Sequence, residues 1–124
     1  MTTPQLTSLE ADGWCIDDVE VAHAATPETF EIPALSERAT LAPGDSAQLR
    51  FYIRVEEEDG EPEDYGERMW VEVKDHMSGW YRGLLLNQPN CTLEISPGWE
   101  VWFQPRHVLN LHNKCGQNEQ PPAP

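Results

Sequence analysis

The chain has 124 residues, with 22 acidic against 8 basic side chains and a formal net charge of −14. This length predicts one domain, and the charge excludes autonomous nucleic-acid binding, which needs clustered Lys and Arg to neutralise phosphates. Only 39% of residues are apolar, yet five Trp, three Tyr and three Phe can seed a core, so a wholly disordered chain is also excluded.

Met1 to Asp12 is short of large apolar residues, and 1–12 is expected to be a loose lead. A single globular domain is expected over 13–112, with a helix and arm segment at 13–45 and a β-barrel part at 46–112. Residues 113–124, mostly Gln- and Pro-rich, are expected to form a disordered tail. Asp17-Asp18 ahead of Val19 to Ala25 predicts a short helix with a carboxylate cap, ended by Thr26-Pro27; a strand over Ile16 to Val21 competes. Thr29 to Pro33 reads as extended, and Ser36 as the cap of a helical turn that Pro43-Gly44 closes.

The rest is β-patterned. Leu49, Phe51, Ile53 and Val55 alternate with Arg50, Tyr52 and Arg54, the mark of a half-buried strand. Met69 to Lys74 repeats the pattern, with Met69, Val71 and Val73 facing in. Asp75 to Gly79 reads as a hairpin turn into Trp80 to Leu86, where Gly83 marks a bulge or bend. Cys91, Leu93 and Ile95 are expected to face in from a further strand, and Pro97-Gly98 to turn the chain into Trp99 to Phe103. The fold class is therefore mostly β with short N-terminal helices (α+β). Its body is a small, strongly bent antiparallel sheet or SH3-like barrel of about five strands, with the N-terminal arm packed on it.

The order Trp14, Asp17-Asp18, His23, Pro27 to Pro33, Glu37-Arg38, Leu41, Pro43-Gly44-Asp45 and Leu49-Arg50-Phe51 resembles the bacterial uncharacterised domain family numbered 2314. Glu67 to Val73, Gly83 to Pro89 and the Pro97-Gly98 turn before Val101 and Phe103 continue the resemblance, which spans Trp14 to Leu111. It implies a small, mostly β fold without an established activity, and an immunity role beside contact-dependent toxins.

Negative charge is concentrated in the first half: residues 1–64 hold 16 acids and 3 bases, and the remainder is nearly balanced. The densest block is Glu56, Glu57, Glu58, Asp59, Gly60, Glu61, Pro62, Glu63 and Asp64. Such a block reads either as a solvated loop or as a docking surface for a basic protein. Tyr52, Trp70 and Trp102 are expected on the outer face, either as an exposed anchor with Trp80 or covered by Trp14, Phe30, Ile32 and Leu35.

Cys91, His107, His112 and Cys115 have irregular spacing with no Cys-x-x-Cys knuckle, so no metal site is expected. No Gly-x-Ser-x-Gly elbow or glycine-rich phosphate loop occurs, and neither a catalytic residue nor a cofactor is expected. No apolar run approaches the ~20 residues of a membrane span, and Met1 to Glu10 lack a basic start before an apolar stretch. A cytoplasmic location with no membrane partner is expected, and Cys15, Cys91 and Cys115 are then reduced thiols. The leading expectation is a non-catalytic acidic protein-binding module, an immunity-type inhibitor being one form. The alternatives are a small-ligand or sensor domain whose cleft is walled by Trp70 and Trp102, and an enzyme or metal protein using Cys91 with His107.

Overall fold

The computed structural model describes residues 4–58 and 60–113. Asp59 of the acidic block and the expected tail over 114–124, including Cys115, lie outside the described residues. The elements in chain order are α1 (Leu9–Asp12), β1 (Trp14–Ile16), α2 (Val19–Ala25), α3 (Leu35–Arg38), β2 (Ser46–Val55), β3 (Glu63–Met77), β4 (Trp80–Leu85), β5 (Glu100–Phe103) and β6 (Asn110–His112), with a 3₁₀ turn at Pro105–His107 before β6.

β2, β3, β4 and β5 pair antiparallel in sequence order, and β1 and β6 share the other edge of β2 at its two ends. The sheet curls into a half-barrel, the strongly bent mostly β architecture expected from the alternation. Its concave face buries Leu49, Phe51, Ile53, Met69, Val71, Val73, Val101 and Phe103, the same side chains that the two-residue period places inward. The Ser78-Gly79 turn has positive φ at both residues (48° and 83°), the geometry a two-residue hairpin needs to match strand twist. Asp75, His76 and Met77, expected in that turn, are instead paired to Arg82, Tyr81 and Trp80. The register shifts between Val73 and Asp75, so the bulge lies on β3 opposite Gly83. Gly83 is required by packing: a Cβ there would stand 3.1 Å from the Glu72 carbonyl oxygen and 3.1 Å from the Phe103 ring.

The N-terminal part follows its expected outline with local differences. Asp18 caps α2 through Oδ1, which accepts the N–H groups of Glu20 and Val21 at 3.0 and 3.3 Å. A helical turn, α1, forms within the expected loose lead because Ser8 Oγ accepts the Ala11 N–H at 3.2 Å. α3 starts at Leu35, so Ser36 lies inside the helix and does not cap it.

The arm meets the outer face through Phe30, which shares the Arg50 guanidinium with Tyr52, and not through Trp14 or Leu35. Trp14 joins the inner core, its ring 5.9 Å from that of Phe51, and Leu35 is 56% exposed. Docking also uses buried polar bonds. The Tyr81 hydroxyl donates to the Arg38 carbonyl at 2.8 Å and accepts the Leu41 N–H at 3.0 Å, while its ring stacks on Phe103. Arg38, only 5% exposed, donates to the Pro33 and Pro105 carbonyls and pairs with Glu20 at 2.7 Å. One guanidinium thus ties α2, α3 and the 3₁₀ turn together, and its charge is balanced as a buried charge must be.

Two further segments depart from the expected pattern. β3 runs 15 residues and begins at Glu63, so Glu63 and Asp64 belong to a strand, opposite Val55 and Arg54, and of the described residues in the block only Glu56, Glu57, Glu58, Gly60, Glu61 and Pro62 lie outside the strands. Cys91, Leu93 and Ile95 do not make a strand; Leu93 is 89% exposed, and Ile95 alone of the three is buried. Side-chain bonds shape this loop in place of a ladder. Gln88 Nε2 donates to the carbonyls of Thr92 and Ile95 at 3.0 and 2.9 Å, and the Glu67 carboxylate accepts the N–H groups of Asn90 and Cys91, both at 2.9 Å.

Candidate functional site

The end of the half-barrel where β2 runs out and β3 begins carries the excess charge. Gly13 closes α1 and turns the chain into β1, and its carbonyl accepts the Arg54 N–H at 2.8 Å. That bond seats the α1 corner beside the last residues of β2. From the other side, the loop held by Gln88 and Glu67 brings Thr92, Glu94, Ile95 and Trp99 to the same place. Between them lies a cleft of about 280 Å³. Trp14, Ile53 and Ile95 form its apolar floor, Trp99 stands at its side 40% exposed, and Asp12, Glu56 and Glu94 rim it.

Electrostatics distinguishes this end from the rest of the surface. Six of the seven Lys and Arg side chains among the described residues are held in ion pairs: Arg38 with Glu20, Arg50 with Asp17, Arg54 with Asp64, Lys74 with Glu72, Arg82 with Asp75 and Glu100, and Arg106 with Asp18. These pairs engage Asp17, Asp18, Glu20, Asp64, Glu72, Asp75 and Glu100, while Glu28, Glu31 and Glu37 stand exposed along the arm without an ion pair among the described residues. Glu10, Asp12, Glu56, Glu57, Glu58, Glu61, Glu63 and Glu94 have no cationic partner among the described residues. Arg54 is the base within the cleft, and Asp64 grips it with both oxygens at 2.8 and 3.0 Å. The same bond holds the Asp64 carboxyl below its ordinary pKa, keeping the pair charged.

The sequence-derived candidates therefore separate into two groups. Glu56, Glu57, Glu58, Glu61 and Glu63 are exposed at the hairpin; Asp64 is tied to Arg54, and Glu57 also accepts the Tyr65 hydroxyl at 3.2 Å. Tyr52, Trp70, Trp80 and Trp102 do not form one patch. Trp70 lies opposite Gln48, four residues along β2 from Tyr52, or about 13 Å at the strand rise. Tyr52 and Trp70 are half-buried, Trp80 is half-buried beyond the Ser78-Gly79 turn, and Trp102 is buried at 8% exposure. Arg50 lies between the rings of Phe30 and Tyr52, 5.0 and 5.9 Å from their centroids, so this part of the outer face is a cation–π stack. Trp70 and Trp102 do not line the cleft described above; Trp14 and Trp99 do. Trp99 was legible as a large ring directly after a Pro-Gly turn, but its role depends on the folding of the long loop between β4 and β5 that precedes it.

The thiol and imidazole groups are engaged separately. Burial and hydrogen bonding to Glu67 push the Cys91 thiol up to about 11, and burial with Asp17, Glu10 and Asp64 raises Cys15, so neither is poised as a thiolate. Burial works to raise the Glu67 carboxyl, but the bonds from Asn90 and Cys91 prevail and hold it below its usual value. Burial, assisted by Arg106, lowers His107 to about 4, and its Nδ1 accepts the Gln104 N–H at 2.9 Å. Among the described residues, no group of three or more His, Cys, Asp and Glu side chains is arranged to hold a metal ion. No helix among them is long and apolar enough to cross a membrane. No family model, curated protein or solved structure matches the chain.

Proposed function

We propose that the protein is a non-catalytic binding module that recognises a basic protein through its acidic end. The observation that supports this reading is the crowding of carboxylates without an ion pair among the described residues at the hairpin, the α1 corner and Glu94, where the base within the cleft, Arg54, is already held by Asp64. A field of this kind steers a cationic partner and selects against anionic ones. The immunity role implied by the family resemblance is one form of the same activity, in which the carboxylates cover the basic groups around a partner's site.

The test compares two triple reversals of equal charge. Glu56, Glu57 and Glu58 changed to Lys alter the hairpin, whereas Glu28, Glu31 and Glu37 changed to Lys alter the exposed arm. With an oligolysine probe at low salt, the hairpin variant is expected to associate about tenfold more slowly than the arm variant. All six positions are exposed, so both variants should melt like the parent. Equal rates for the two variants would show that total charge alone governs association and would overturn the reading.

A further inference from the structure

We infer that the cleft between Trp14 and Trp99 is the seat of one long basic side chain, a lysine or arginine from an extended segment of the partner. This rests on the binding function proposed above and assigns that function a specific pocket. Three observations converge on it.

The first is size. At about 280 Å³ the cleft lies at the lower edge of the ~300–1,000 Å³ typical of ligand cavities, so it suits a single side chain better than a cofactor. The second is its two-part chemistry. Trp14, Ile53 and Ile95 offer an apolar floor, and Asp12, Glu56 and Glu94 stand at the rim. A lysine or arginine has the same division, an aliphatic stem ending in a charged head, and places the stem on apolar surface while the head stays among polar groups. A purely apolar guest would leave the three rim carboxylates unmatched. An anionic guest would be repelled by them.

The third is the state of the one cation in the cleft. Arg54 would oppose a basic guest if its charge were free, but Asp64 engages both Nε and Nη2, and Glu10 and Glu56 act on the same guanidinium. Its charge is met within the protein, and the three rim carboxylates form no ion pair among the described residues, Glu56 acting on Arg54 only at longer range. Trp99 completes the site: its ring is 40% exposed beside the rim, where an ammonium or guanidinium head can lie against the ring face.

The experiment titrates ¹⁵N-labelled protein with acetyl-Gly-Gly-Lys-Gly-Gly-amide and with the same peptide carrying norleucine, which keeps the stem and lacks the charge. The readout is the indole N–H signals of Trp14 and Trp99 with the hairpin amides as reference. The lysine peptide is expected to move both indole signals saturably, with the norleucine peptide at least fivefold weaker. Asp12→Asn combined with Glu94→Gln should weaken the lysine peptide fivefold or more; Asn retains an acceptor for the Ser8 N–H that Asp12 holds at 3.0 Å. Equal affinity for both peptides would overturn the inference, as would shifts confined to the hairpin amides with the Trp99 indole unmoved. In the latter outcome the acidic surface still gathers cations and the binding function stands, whereas equal rates in the paired reversals above would remove that function itself.

Discussion

The β2–β3–β4 centre and the acidic end of the same strands are built on different principles. At the centre, Leu49, Phe51, Met69, Val71 and Val73 are buried in continuous alternation, and backbone pairing sets every position. At the acidic end, Gln88, Glu67, Ser8 and Asp12 hold the chain by side-chain bonds to backbone N–H and C=O groups. The first arrangement makes a fold that tolerates little change. The second holds a surface in shape while leaving its exposed charges free to vary, which suits a region that meets other molecules.

The sharpest way to break this contrast is Val71→Asp. Val71 is fully buried in the middle of β3, and an unpaired charge there is expected to leave the chain unfolded, seen as loss of the cooperative melting transition. A native-like melt would mean that the centre is no more constrained than the acidic end.

A smaller effect is expected at the 3₁₀ turn that carries the chain from β5 back to β2. His107 titrates near 4 when folded against 6.5 in the reference state, so the unfolded chain binds the proton more readily. Its contribution is present above about pH 6.5 and declines as pH falls toward 4, a loss of roughly 3 kcal/mol. His107→Asn keeps an acceptor for the Gln104 N–H and removes the titration. Chemical denaturation of both proteins between pH 7 and 4 should show the parent losing roughly 3 kcal/mol more than the variant. Parallel curves would show that the imidazole is not buried in neutral form.

Gln88→Ala is expected to have the smallest effect, about 1–2 kcal/mol, because it removes the bonds to Thr92 and Ile95 but no core side chain. Hydrogen exchange should quicken in the 88–99 loop and remain slow at Met69 to Val73. Global destabilisation as large as that of Val71→Asp would mean that the loop belongs to the folding core, and the distinction between the two regions would fail.

Particular residues show how far local pattern reaches. The alternation of Leu49 to Val55 and of Met69 to Lys74 was readable because inward and outward side chains repeat every two residues, and α2 was readable from its Asp18 cap. Glu63 to Arg68 show no such alternation; they form a strand because β2 is already present to pair with and Arg54 meets Asp64 across it. The acidic hairpin was visible as composition, whereas the cleft beside it was not. Trp14 is separated from Ile95 and Trp99 by most of the chain, and neither Trp70 nor Trp102, the rings chosen for a cleft from alternation alone, lines it.

The amino-acid sequence by itself determined which faces of the long strands are apolar, where the helix over Val19–Ala25 begins, and that acids outnumber bases chiefly before residue 65. Those properties depend on nearest neighbours and on counting. Only the tertiary structure decided which acids are neutralised, that Arg38 is buried, and that three distant segments enclose one cleft. Ion pairing and enclosure depend on distances between residues far apart in the chain, and these distances exist only once the sheet has curled.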